Sequence, residues 1–144
     1  MLIMRPVFNI FLLFALLLLA GCAVNRATAT LTPGTNFKDA KSFYVVKLPA
    51  DSRGIEKLIS DNLVKRGLRS SYGSQPTQVE AVVTYVDKWM WDITMYMLEL
   101  TVTIRNPSND FPMAVGNSFH TSLTRKSPEE MVDEVLTNIF NKTE

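Results

Sequence analysis

The sequence has little of what most catalytic and metal sites are built from. Its 144 residues include one cysteine, Cys22, and one histidine, His120. A single cysteine cannot close an internal disulfide, and without a cluster of Cys and His no zinc-type ligand spacing exists. The six glycines are scattered. Gly54 and Gly67 bracket a helical pattern instead of forming a phosphate-cradling loop, and there is no Gly-x-Ser-x-Gly elbow. Neither sign of charge is in excess, with 15 basic and 14 acidic residues. Such a balance, with no basic face interleaved with aromatics, excludes the usual nucleic-acid-binding class.

One long apolar run is present, from Val7 to Ala20, broken only by Asn9 and preceded by the basic Arg5. As a helix it would cover about 20 Å, short of the roughly 30 Å hydrocarbon core of a bilayer. It therefore reads as an export signal over residues 1–21 and not as a permanent span. The run closes on Leu19-Ala20-Gly21-Cys22, an aliphatic residue and two small ones before the cysteine. Small residues suit a signal-peptidase site because the substrate must lie extended in a narrow cleft. The segment resembles the lipobox of bacterial lipoproteins, which implies cleavage between Gly21 and Cys22.

Residues 22–36 are rich in Thr and Ala and end in Pro and Gly, too poor in large apolar side chains to fold alone, so a lipidated N-terminus and flexible tether are expected there. Residues 37–144 are long enough for one domain with a single core. Ser42 to Leu48 is a β-rich run stopped by Pro49. Asp51 or Ser52 can cap the next helix, in which Ile55, Leu58, Ile59 and Leu63 recur at helical spacing until Gly67. Leu68 to Gln78 reads as a loop, and Val79 to Val86 as a strand.

A longer strand is expected from Trp91 to Arg105, with Tyr96, Leu98, Leu100, Val102 and Ile104 on its core face. Asn106 to Asp110 is a turn by composition. It leads to a strand on which Met113, Val115, Phe119 and Leu123 alternate with Ala114, Gly116, Ser118, His120 and Ser122. Ser127-Pro128-Glu129-Glu130 supplies an N-cap, a first-turn proline and a capping-box Glu for a final helix with Met131, Val132, Val135, Leu136, Ile139 and Phe140 as its stripe. The order β-α-β-β-β-α predicts an α+β two-layer sandwich: a four-stranded, mostly antiparallel sheet with two helices on one face.

The unusual stretch lies between Val86 and Met97. Trp89, Trp91, Ile93, Met95 and Met97 share the face opposite the core residues of the same strand's second half. Two explanations fit. A β-bulge near Met95, or a covering loop, would put this face into the core. Otherwise Trp89, Trp91, Ile93, Met95 and Met97 are a candidate interaction surface for a protein or lipid partner. No catalytic residue stands out. His120 reads as a solvated or hydrogen-bonded strand residue, Asp87 and Asp92 lack a nucleophile beside them, and Glu129, Glu130, Asp133 and Glu134 suit the positive end of a helix dipole better than a cation. No metal site is expected, and no cofactor.

With Leu19-Ala20-Gly21-Cys22, the stretch Leu63-Val64-Lys65-Arg66-Gly67-Leu68, the strand Val82-Val83-Thr84-Tyr85 and the Met131 to Phe140 helix, the chain resembles small bacterial outer-membrane lipoproteins of unknown function. That resemblance implies a covalent lipid on Cys22, a diacylglycerol thioether, anchoring the chain in the membrane. Ala23, where an Asp would resemble an inner-membrane retention signal, favours the outer membrane, with the domain facing the periplasm. The function expected is a non-enzymatic docking or accessory module whose partner is an envelope protein. The alternatives are binding or transport of a lipid or apolar ligand and, with least in its favour, an envelope hydrolase.

Overall fold

The computed structural model describes residues 24–75 and 77–142, so the signal segment, the Gly21–Cys22 cleavage site and Cys22 itself lie outside the described residues. In chain order the elements are β1 (Asn25–Leu31), β2 (Ser42–Val46), α1 (Ile55–Lys65), β3 (Arg69–Gly73), β4 (Ala81–Asp92), β5 (Thr94–Arg105), β6 (Pro112–His120), a 3-10 turn (Ser122–Thr124) and α2 (Pro128–Asn141). All six strands form one sheet in the order β1-β6-β5-β4-β2-β3. β2 runs parallel to both β3 and β4, and the remaining pairs are antiparallel.

The two helices lie side by side on one face of that sheet, α1 against β2 and β3, α2 against β1, β5 and β6. α1 buries Ile55, Ile59 and Leu63, one stripe at helical spacing, and ends where Gly67 takes the left-handed conformation at φ 84. Its start is held by Asp51, whose carboxylate accepts from the backbone N–H groups of Arg53, Gly54 and Ile55. α2 opens with the Ser127/Glu130 capping box and Pro128, and buries Met131, Val132, Val135, Leu136 and Ile139. Beneath the helices, Phe43 and Val45, then Val83 opposite Ile104 and Tyr85 opposite Val102, form the sheet's half of the core.

On β6 the small residues, not the large ones, face α2. Ala114, Ser118 and His120 are buried, while Val115 and Phe119 are only half-buried. The reason is close approach: a Cβ on Gly116 would stand 2.8 Å from both Ile139 and Val135.

Three sequence-based expectations are corrected. The sheet has six strands and is mixed, where four mostly antiparallel ones were expected. The expected tether contains β1, whose residues Asn25 to Leu31 pair antiparallel with His120 to Ala114. Its small side chains Ala27 and Ala29 lie opposite the equally small Ser118 and Gly116, and Leu31 opposite Ala114, so backbone hydrogen bonding and close packing under α2 supply most of what bulk does not. The expected loop from Leu68 contains β3, an edge strand of composition Arg-Ser-Ser-Tyr-Gly whose polarity suits an open sheet edge.

Candidate functional site

β4 and β5 form a long hairpin that outruns the rest of the sheet. β6 accompanies β5 only as far as the Glu99–Phe119 pair, whereas the hairpin continues through Trp89–Met97 and Trp91–Met95 to a reversal at Ile93. The chain runs straight through the region expected to connect two strands, where no Gly, Pro or Asn stands between Val86 and Asp92 to turn it. Between Lys88–Glu99 and Trp89–Met97 the register shifts, leaving Leu98 as the extra residue of a β-bulge. The bulge moves the inward face of β5 from even to odd numbers, which explains why apolar residues occupy both phases of its sequence.

The five candidate surface residues therefore divide. Met97 is fully buried, and Trp89 packs against the core with the Arg53 guanidinium 4.1 Å above its ring while its Nε1–H donates to Asp87. Those two are structural, a correction to the surface read from the sequence. Trp91, Ile93 and Met95 stand in solvent, with Trp91 68% and Ile93 84% exposed. Ile93 turns the hairpin at φ 61, a left-handed conformation that β-branched residues rarely adopt. Such a turn is usually filled by Gly or Asn.

A strap joins this tip to the start of the folded chain. After β6, Ser122 Oγ donates to the Asp92 carboxylate, Arg125 donates to Thr94 Oγ1 at 2.8 Å, and its guanidinium lies 4.6 Å over the Tyr96 ring. The same segment holds Val24: its N–H donates to Thr121 Oγ1 at 3.0 Å, and its carbonyl accepts from Thr124 Oγ1 at 2.7 Å. Leu123, on the strap's outer side, is 70% exposed. Among the described residues, six of the ten exposed large apolar side chains, Val24, Met90, Trp91, Ile93, Met95 and Leu123, thus belong to the hairpin's free end, the strap and the chain's entry into β1. The strap and Met90 were not singled out from sequence.

The buried titratable groups lie outside this apolar cluster, and among them His120 Nδ1 has no hydrogen-bond partner among the described residues. His120 is wholly buried, its Nε2 2.7 Å from Glu134 Oε2, and Glu134 also accepts from Ser118 at 2.6 Å and Lys126 at 2.5 Å. Burial acts to raise the Glu134 pKa, but hydrogen bonds from His120, Lys126 and Ser118 outweigh it and bring the pKa down to about 2. Ser118 bonds the carboxylate and not the imidazole, so the three do not form a nucleophile–base relay. At the other helix, Tyr85 donates to Asp51 at 2.7 Å. Burial, then that bond, pushes the Tyr85 phenol up. Burial opposes ionisation of Asp51 too, but bonds from Glu56, Tyr85 and the backbone win and hold its carboxyl low.

Asp87 and Asp92 do not converge: one serves Trp89, the other Ser122 and Arg125. Of the acidic run, Glu130 caps α2 and Asp133 pairs with Arg66 across the helices. No group of three or more His, Cys, Asp or Glu among the described residues could hold a metal. A groove of about 830 Å³ between the helices is lined largely by polar residues, Asp61, Lys65, Glu130 and Asp133 among them. No helix among the described residues is long and apolar enough to cross a membrane.

No protein-family profile and no curated sequence matches the chain. Solved structures do share its fold. PelC from Paraburkholderia phytofirmans, crystallised as a dodecamer, superposes with a TM-score of 0.57 at 12% identity, covering 81% of this chain and 98% of its own. A second PelC dodecamer crystal form gives 0.56 at 13% identity over 80% and 96%. A minor lipoprotein from Acinetobacter baumannii aligns over 71% of this chain and 89% of its own at 16% identity, with a TM-score of 0.35. At such identities the likeness to PelC establishes a common fold and nothing about activity.

Proposed function

We propose that this chain is a lipid-anchored, non-enzymatic accessory module of the bacterial envelope, exported by residues 1–21, acylated at Cys22 and held at the outer membrane on its periplasmic side. The observation that carries this reading is the gathering of most of the exposed large apolar side chains among the described residues at one end of the sheet. Large apolar residues clustered on a rigid element are the usual mark of a contact surface. The lipobox supports the address, and a fold that PelC assembles into a dodecamer supports a role in docking. Carriage of an apolar ligand has less support, because the two largest grooves described are lined mostly by polar residues.

The test is Cys22→Ala. Metabolic labelling with a lipid precursor is expected to disappear, and the full-length precursor to accumulate. Undiminished labelling of that variant would overturn the anchor. Fractionation of the wild-type chain with the soluble periplasmic proteins would contradict it from the other side.

A further inference from the structure

The exposed hairpin end lies at the same end of the sheet as the chain's entry into β1, and this coincidence fixes what covers it. Asn25 pairs with His120 and Arg26 with Phe119, and Phe119 in turn pairs with Glu99. Beyond the Lys88–Glu99 pair the hairpin runs five more residues to Ile93, about 16 Å at 3.3 Å per residue. Val24 lies two residues beyond the Arg26 level, toward the tip. Cys22 is two residues away along the chain, no more than about 7 Å from Val24. A lipid attached at Cys22 therefore tethers the domain by the end of the sheet that carries the hairpin tip.

We infer that the surface covered by the tip is the lipid monolayer that holds the acyl chains of Cys22, so that the domain stands on the membrane by two contacts, the lipid and the hairpin. The inference rests on the anchor reading above. Its own support is chemical. Trp91 is an amphipathic ring of the kind that settles at the headgroup level, and Ile93, Met95 and Leu123 are apolar groups able to enter the acyl boundary beside it. Lys88 and Arg125, partly exposed on the flanks, can meet lipid phosphates. The Ser122 and Arg125 bonds to the tip, and those of Thr121 and Thr124 to Val24, hold tip and entry point as one rigid unit. The strained residue Ile93 fits this role, since an isoleucine at a left-handed turn position serves the fold less well than Gly or Asn would.

The experiment uses the lipidated protein, extracted from membranes and reconstituted into phosphatidylethanolamine/phosphatidylglycerol vesicles whose lipids are brominated high on the acyl chain. The chain has two tryptophans. Trp89→Phe leaves Trp91 as the reporter, and Trp91→Phe leaves Trp89, held under Arg53, as the internal control. Mass spectrometry of the same sample reads the acyl groups on Cys22. Trp91 fluorescence is expected to shift to the blue and lose more than half its intensity, Trp89 to change little, and Ile93→Asp in the Trp91 reporter to restore most of the loss. An acylated Cys22 with unquenched Trp91 would overturn the inference while leaving the anchor reading intact. A chain without acyl groups would overturn both.

Discussion

Gly116 shows how a single residue sets a distance. It lets α2 approach β6 so closely that Ile139 and Val135 occupy the space of a side chain. Gly116→Ala is expected to destabilise by about 1–3 kcal/mol through overpacking, measured by chemical denaturation. Ile93 is the opposite case. An αL conformation costs a β-branched residue about 1–2 kcal/mol, so Ile93→Asn is expected to raise stability by ~1 kcal/mol while weakening the tip's contact. Trp91→Ser should cost less than about 1 kcal/mol, whereas Met97→Ala should cost about 2–5 kcal/mol. Equal losses for the two would mean that the division of the hairpin into core and tip is wrong.

Glu134 gives the acid limb of stability its sign. Its folded pKa of about 2 lies below the 4.5 of the free carboxyl. Its contribution is therefore complete above about pH 4.5 and lost as pH falls toward 2. A shift of that size corresponds to at most about 3 kcal/mol. Glu134→Gln is expected to lower stability at neutral pH and to narrow its difference from wild type near pH 3, followed by urea unfolding at both values. An unchanged difference across that range would remove Glu134 from the acid response.

At the scale of elements, legibility followed the source of the stabilising energy. Both helices could be read because burial decides them: the stripes Ile55–Ile59–Leu63 and Met131–Val135–Ile139 repeat at helical spacing, and capping residues mark their starts. The bulge was legible in outline, since the apolar phase of β5 reverses, though its position at Leu98 depends on pairing with Lys88 and Trp89. β1 and β3 could not be read. Their side chains are small or polar, and they exist as strands because neighbouring strands offer unpaired backbone groups. Thr28→Pro would remove one N–H from β1 and disturb its pairing with Asn117. Hydrogen exchange is expected to speed up along β1 and β6 and to stay unchanged in β2 and β3. Uniform loss of protection would show that β1 is integral to global folding and not a locally added edge.

For the whole molecule, the site was half legible. Sequence offered a candidate anchor cysteine and the Trp/Met stretch as separate features, but only the register of β1 on β6 and of β6 on β5 shows that the chain enters the sheet at the end where the hairpin tip lies. Under the proposed membrane contact, the opposite end and the outer face of the sheet would be the surfaces left to a protein partner. The proposal assigns two separate contributions to membrane attachment: acyl chains would supply most of the binding, and the hairpin its orientation.

The most direct measurement of that orientation is photo-crosslinking in intact cells from a probe placed at position 91, with the adduct identified by mass spectrometry. A phospholipid adduct is expected, lost when Cys22→Ala releases the chain from the membrane. A protein adduct at that position, or crosslinks only to residues of the same domain, would contradict a hairpin seated in the membrane.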